Sequence, residues 1–248
     1  ELLREAGRLL GEIDAVANRV RRVATGWEPQ FTIAIDSVIA RDPLFDLVGA
    51  FYAEEPPTRL KLRDETLLGT IEALTRGEAD LAIGTVLDAA SLSFTATGIR
   101  SRPLGEIRFV YAVAPHHPLA RGPEPLSDAT IRTHRGVAAA DSARQGQSMN
   151  VNLVGGQDIL TVPTMQAKLH AQLHGLGGGF LPEPMAQPYV EAGHLVVRAT
   201  ERVPPAGALH CAWRVRAAGS PGLALQWWLQ RFEHEATREA LLHRHRGR

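Results

Sequence analysis

The strongest constraint on this chain is an alternation of strand-like and helix-like segments that occurs twice. Phe31–Ile35 is an apolar run of strand length, and Val38–Tyr52 then repeats Leu44, Leu47, Val48 and Phe51 on one helical face, with Pro43 near its start. Leu60–Arg63 is a second strand. Leu67, Leu68, Ile71 and Leu74 recur at helical spacing, Gly77 supplies a stop, and Asp80–Ile83 is a third, buried strand. Strand–helix–strand–helix–strand predicts parallel pairing with right-handed crossovers. After a strand at Ile107–Ala114 and a short helix at Asp128–Thr133 capped by Ser127, a second series begins. It predicts strands at Gly136–Ala140, Met149–Leu153, Ile159–Val162, Gly179–Leu181 and Leu195–Arg198, with helices at Thr164–His174 and Glu183–Glu191. A late strand, Cys211–Val215, and a helix carrying Leu223, Leu225, Trp228, Leu229 and Phe232 follow. The chain is therefore expected to leave one α/β lobe, build a second, and return. This gives two crossover segments and a cleft, and ligands of open α/β sheets sit beyond the carboxyl ends of the strands. The boundaries expected are 26–134 with 207–242 for lobe I, 135–206 for lobe II, and a frayed tail at 243–248.

Residues 1–25 read differently. Leu2, Leu9, Val16 and Val23 fall seven apart, with Ala6, Ile13 and Val20 between them, and charged residues flank the seam. This predicts a linker or dimerisation helix; an amphipathic helix packed on its own domain is the alternative. Glu1 through Glu5 is charged and is no signal peptide, and the missing initial Met reads as a fragment or a processed chain. Lys plus Arg (27) equals Asp plus Glu (27), so no global charge draws the chain to nucleic acid or anionic lipid. No apolar run reaches membrane-spanning length, and the single Cys211 excludes an intrachain disulfide, which favours a cytoplasmic location.

Three ordered stretches carry a family resemblance. Leu74-Thr-Arg-Gly77-Glu-Ala-Asp80-Leu-Ala-Ile83-Gly84 matches an L-x-x-G-x-x-D-L-A-I pattern. Phe109 to Ala120 runs a strand into His117-Pro118-Leu119-Ala120. His174-Gly-Leu-Gly177-Gly-Gly-Phe-Leu181-Pro182 matches G-x-G-x-x-x-L-P. In this order the chain resembles the LysR-type transcriptional regulators from about Phe31 to Phe232. The resemblance implies an effector-binding domain of the type II periplasmic-binding-protein fold that takes a small molecule between its lobes. It implies homodimers or homotetramers, and DNA contact only through a winged helix-turn-helix preceding Glu1.

Candidate effector contacts follow from the cleft. Asp36 and Ser37 end the first strand, where exposed N–H groups favour an anion. The resemblance implies small polar residues here, so Asp36 departs from it and would favour a cationic, amine-bearing or hydroxyl-bearing ligand; a helix cap is the alternative. Thr66 follows the second strand as a contact or a cap. Gly84 and Thr85 end the third strand, offering close backbone approach and a hydroxyl, or plain turn chemistry. In lobe II the candidates are Thr161 and Thr164 around Pro163, Phe180 as a cleft floor or core residue, and Arg144 or Gln145 in the loop after the first strand.

Catalytic and metal chemistry find little support. His170 and His174 have metal-ligand spacing but no third ligand, and His116-His117 reads as structural. Cys211 lies in an apolar strand without an activating neighbour. No G-x-S-x-G occurs, and Gly175–Gly179 follows a helix rather than a strand, the wrong order for a phosphate turn. The expectation is no catalytic residue, no metal and no cofactor. A transport solute-binding protein of the same fold is the alternative function; its discriminator is the N-terminal helix.

Overall fold

Apolar strands flanked by amphipathic helices set the frame. The computed structural model describes residues 26–86, 98–144, 152–215 and 221–246. The expected N-terminal helix, Gln145 and most of the expected strand at Met149–Leu153 lie outside these residues; Asn152 and Leu153 are described and are not in a strand.

The first series forms as its pattern requires. Strands β1 (Gln30–Asp36), β2 (Arg59–Glu65) and β3 (Leu81–Val86) pair in parallel, with β1 between the other two. Helix α1 (Arg41–Tyr52) begins three residues later than its apolar repeat suggests, because Pro43 fits only a first turn. Helix α2 (Gly69–Thr75) returns the chain to β3. β3 runs on past Ile83 to Val86 through a register shift between Ile83 and Thr85. There Gly84 takes a left-handed φ of 88°, and a Cβ would lie 2.9 Å from both Asp36 and Ile39 side-chain atoms.

Strand β4 (Ile99–Val113) is longer than its sequence signal and spans both lobes. Its first part pairs antiparallel with β9 (Ala206–Arg214), which in turn lies on β3. Its second part, Phe109–Val113, pairs with β7 (Gly179–Pro182) and β8 (Val196–Arg198). The handover between lobes thus falls inside β4, whereas the sequence boundary lay after residue 134. Residues on from Phe109 belong with lobe II: Tyr111, Val113, Leu119, Leu126, Ile131, Val154 and Phe180 form one buried cluster. Lobe II also holds α3 (Asp128–Arg132), the parallel pair β5 (Gly136–Ala139) and β6 (Ile159–Val162), α4 (Met165–Leu173) and α5 (Glu183–Glu191).

The chain returns through β9 to α6 (Leu223–Arg231) and α7 (Glu235–His243). α6 closes the main core, with Trp228 and Phe232 buried beside Phe51 and Phe31. The Glu28 carboxylate accepts from the Ala224 N–H in its first turn at 2.9 Å. α7 was not expected as a separate helix. Its Leu241 and Leu242 are buried, Leu241 O accepts from Ala40 N, and Arg246 pairs with Asp42 at 3.3 Å. The tail is therefore laid against α1 as far as Arg246, not frayed from 243.

Candidate functional site

A cleft of about 750 Å³, counting the part open to solvent, lies between the lobes. Its walls are mostly apolar: Ile107, Phe109 and Leu209 come from the crossing strands, Val38 and Leu67 from lobe I, Met165 and Phe180 from lobe II. Two ionisable groups interrupt them, Asp36 in lobe I and Lys168 in lobe II.

Asp36 is fixed by backbone donors. Its Oδ1 accepts from Val38 N at 2.9 Å and its Oδ2 from Leu67 N at 2.8 Å. The carboxylate thus closes a turn before α1 rather than capping the helix. Leu67 has a left-handed φ of 56°, a strained conformation for a branched residue, and the Asp36 bond holds it there beside the cleft. Burial pushes the Asp36 carboxyl up to about 7, against the opposing pull of the two N–H bonds and Arg41.

Lys168 lies on the buried face of α4. It is 7% exposed, and no hydrogen bond or ion pair reaches its ammonium among the described residues. Burial alone lowers its pKa to about 8.

Beside the cleft the lobes are joined by a polar seam. Thr66 Oγ1 donates within 3.3 Å of both Ser37 Oγ and the Pro163 carbonyl. Met165 N, in the first turn of α4, donates to Ser37 Oγ at 3.3 Å. Ser142 Oγ accepts from Thr66 N at 2.9 Å and lies 2.7 Å from Glu65 Oε2. Gly69 makes this approach feasible, because a Cβ there would fall on Ser142 Oγ. The Thr66–Ser37 bond lies within lobe I, whereas the bonds from Thr66 to Pro163, from Met165 to Ser37 and between Ser142 and Thr66 or Glu65 join the two lobes, so these report the relative placement of the lobes.

The comparisons with known proteins agree on one family. A model of the LysR substrate binding domain matches residues 24–237. The chain belongs to the LysR family. Among curated relatives of this LysR domain, YeeY of Escherichia coli K12, an uncharacterized HTH-type transcriptional regulator, is 34% identical over 92% of this chain and 72% of its own length. YhaJ of the same organism, a probable HTH-type transcriptional regulator, is 35% identical over 92% of this chain and 74% of its own. Among solved structures, the regulatory domain of MetR from Neisseria meningitidis, a LysR family regulator, superposes with a TM-score of 0.62 at 19% identity, covering 85% of this chain and 93% of that one. Full-length LysG from Corynebacterium glutamicum gives 0.61 at 21% identity, covering 97% and 78%. The fold is thus the two-lobed fold of LysR regulatory domains.

In this LysR domain the nine sequence candidates among the described residues divide. Asp36, Thr66, Gly84 and Phe180 line the cleft. Ser37 is buried in the seam rather than facing the cleft space. Thr85 is buried away from the cleft with an unpartnered hydroxyl. Arg144 lies in a separate polar groove with Arg63, Glu72 and Arg76, where its N–H donates to Glu72 Oε2. Thr161 is exposed on β6, and Thr164 caps α4 by accepting from Ala167 N at 3.1 Å. The structural readings of His117 and Cys211 fit. His117 Nδ1 accepts from Leu119 N, and burial pushes the Cys211 thiol up to about 11.

Sequence reasoning missed Lys168, Met165, Phe109 and Asn152 in the cleft wall. For Lys168 a signal existed. Met165, Lys168, Leu169 and Gln172 follow the i, i+3, i+4, i+7 pattern that marks a core-facing stripe. A lysine and a glutamine therefore occupy positions the helical period assigns to the interior.

Proposed function

We propose that this domain senses a small molecule held between its lobes and passes the lobe arrangement on to a DNA-binding partner domain in the whole regulator. The carrying observation is the position of the cleft. Its walls come from both lobes and from both crossing strands, so a bound molecule touches everything that must move together. A ligand shifts the arrangement only if it binds one arrangement better than the other, and the seam of Ser37, Thr66 and Ser142 is the element whose pairing distinguishes them. Asp36 favours a ligand that presents a hydrogen-bond donor to lobe I. The apolar walls suit an uncharged middle. The reading includes no catalysis, no metal and no cofactor, self-association into dimers or tetramers, and a cytoplasmic location. Among the described residues no helix is long and apolar enough to cross a membrane.

A thermal-shift screen of small metabolites tests the sensing role, because stabilisation scales with affinity for the folded state. Gly207→Leu is the control. Gly207 lines the cleft, nothing lies within 4 Å of a Cβ there, and its φ is not left-handed. The variant should keep the unliganded melting temperature and lose the ligand-induced shift. Ligands that stabilise Gly207→Leu as fully as the parent chain place binding elsewhere.

A further inference from the structure

Behind the cleft, lobe II contains a second recess, about 350 Å³ counting the part open to solvent, that shares Asn152, Lys168 and Phe180 with it and is also lined by Tyr111, Gly178 and Gly179. Resting on the cleft reading above, we propose that this recess is an anion subsite, in which the Lys168 ammonium and the Tyr111 hydroxyl hold the carboxylate of an organic acid whose apolar body fills the cleft.

The polar atoms here are built in and unanswered. Tyr111 is 3% exposed and its hydroxyl has no partner. Gln172 is fully buried, and neither atom of its amide is bonded. Lys168 lines the recess with Tyr111, and no hydrogen bond or ion pair reaches its ammonium among the described residues. A buried donor without an acceptor is costly, and a buried ammonium without an anion more so. Tyr111 and Lys168 both line the recess and offer two donors to one acceptor group.

The glycine run makes the place possible. A Cβ on Gly178 would lie 2.6 Å from the Tyr111 hydroxyl and 2.8 Å from Val113. A Cβ on Gly179 would lie 3.0 Å from Gln172 Nε2 and 3.3 Å from Lys168 Cε. Bare backbone at Gly178 makes room for the Tyr111 hydroxyl, and bare backbone at Gly179 makes room for the Lys168 stem and the Gln172 amide. The other cation of the recess, Arg202, is already held by both oxygens of Asp128, so among the described residues Lys168 is the recess cation whose charge is unmatched. One positive charge, with the Asp36 carboxyl across the same cleft, selects a single negative charge. That favours a carboxylate over a phosphate dianion.

The lysine content provides the test. The chain has two lysines, Lys61 and Lys168, and three methionines, Met149, Met165 and Met185. Lys61 is exposed on β2 and Met165 lines the cleft. The 248-residue chain would be labelled with 13C at lysine Cε and methionine Cε and titrated with hexanoate, hexanamide and inorganic phosphate, with Lys168→Leu assigning the signals. Hexanoate is expected to shift the Lys168 signal and raise its pKa by about one unit, since an anion beside an ammonium favours its charged form. Lys61 should not respond, and hexanamide should move Met165 without moving Lys168. In Lys168→Leu, hexanoate should bind about tenfold more weakly, with hexanamide unchanged.

The subsite is overturned if hexanoate leaves Lys168 unmoved at ~50 mM, well above a millimolar dissociation constant. It is equally overturned if hexanamide moves Lys168 as much, or if phosphate moves it and hexanoate does not. A Met165 response without a Lys168 response removes the subsite and leaves the cleft reading standing. Silence at both removes the subsite and leaves the cleft reading to the metabolite screen.

Discussion

The interlobe seam and the lobe II recess use the same kinds of side chain to opposite ends. In the seam, Ser37, Thr66 and Ser142 are buried or half-buried, and their hydroxyls satisfy one another, two backbone N–H groups and the Glu65 carboxylate. At the recess, the Tyr111 hydroxyl and, behind it, the Gln172 amide are as deeply buried and have no partner among the described residues, and Lys168 is buried there with no ion pair among them. A buried polar group costs little when paired and several times more when left alone. Polar groups that the protein itself answers hold the lobes in place. Those left unanswered in the recess are the ones that the proposed anion subsite would use.

The largest test of this contrast is pH. Folding raises the Asp36 pKa from 3.8 to about 7 and lowers that of Lys168 from 10.5 to about 8. Between those two Asp36 values the folded chain holds a proton that the unfolded chain has released, so stability falls as pH rises. Between the two Lys168 values the unfolded chain holds the extra proton, so stability rises with pH. The parent chain should therefore be least stable, relative to the double variant Asp36→Asn/Lys168→Met, between about pH 7 and 8. At about 1.4 kcal/mol per pKa unit, Asp36 contributes at most roughly 4 kcal/mol and Lys168 at most roughly 3 kcal/mol. Denaturant unfolding across pH 4–10 measures it, and a flat difference would show that neither group is desolvated as described.

Breaking the seam is the next largest effect. Gly69→Ala drives a methyl into Ser142 Oγ and should cost about 1–3 kcal/mol, while small-angle scattering should show a larger radius as the lobes part. Ser142→Ala removes the same contact without a clash. It leaves Glu65 Oε2 and Thr66 N short of a partner and should cost about 1 kcal/mol in chemical unfolding. Thr161→Ala sharpens the contrast from the other side. Thr161 is exposed and outside the cleft, so its stability and ligand response should change by less than ~0.5 kcal/mol.

Much of the fold was legible because periodicity reports burial. β1, β2 and α1 follow the strand-length and 3.6-residue patterns read from Phe31 to Tyr52 and Leu60 to Arg63. The first half of β4 was not legible. Ile99–Glu106 includes Arg100, Arg102, Pro103 and Gly105, which read as a loop, and pairing with β9 overrides that local preference. Helix α7 was hidden because its burial rests on Leu241 and Leu242 alone. The site was legible only in part. Positions after strands were read as ligand contacts, but whether a hydroxyl there faces a ligand or another lobe depends on how the lobes meet. Ser37 went to the seam for that reason, and Thr66 both lines the cleft and joins the seam. Lys168 was legible as a charged residue on an apolar stripe, a mismatch that a position-by-position search for polar loop residues passes over.

The place of β9 between β3 and β4 has a consequence for how the protein is made. Lobe II is built from one continuous stretch, but the lobe I sheet is completed only by residues near the end of the chain. Until Ala206–Arg214 leaves the ribosome, the β3 and β4 edges that it will cover have no partner, and unpaired edges are where chains stick to one another. Lobe II can finish while lobe I waits, and a chain cut short before β9 would carry both open edges for as long as it survives.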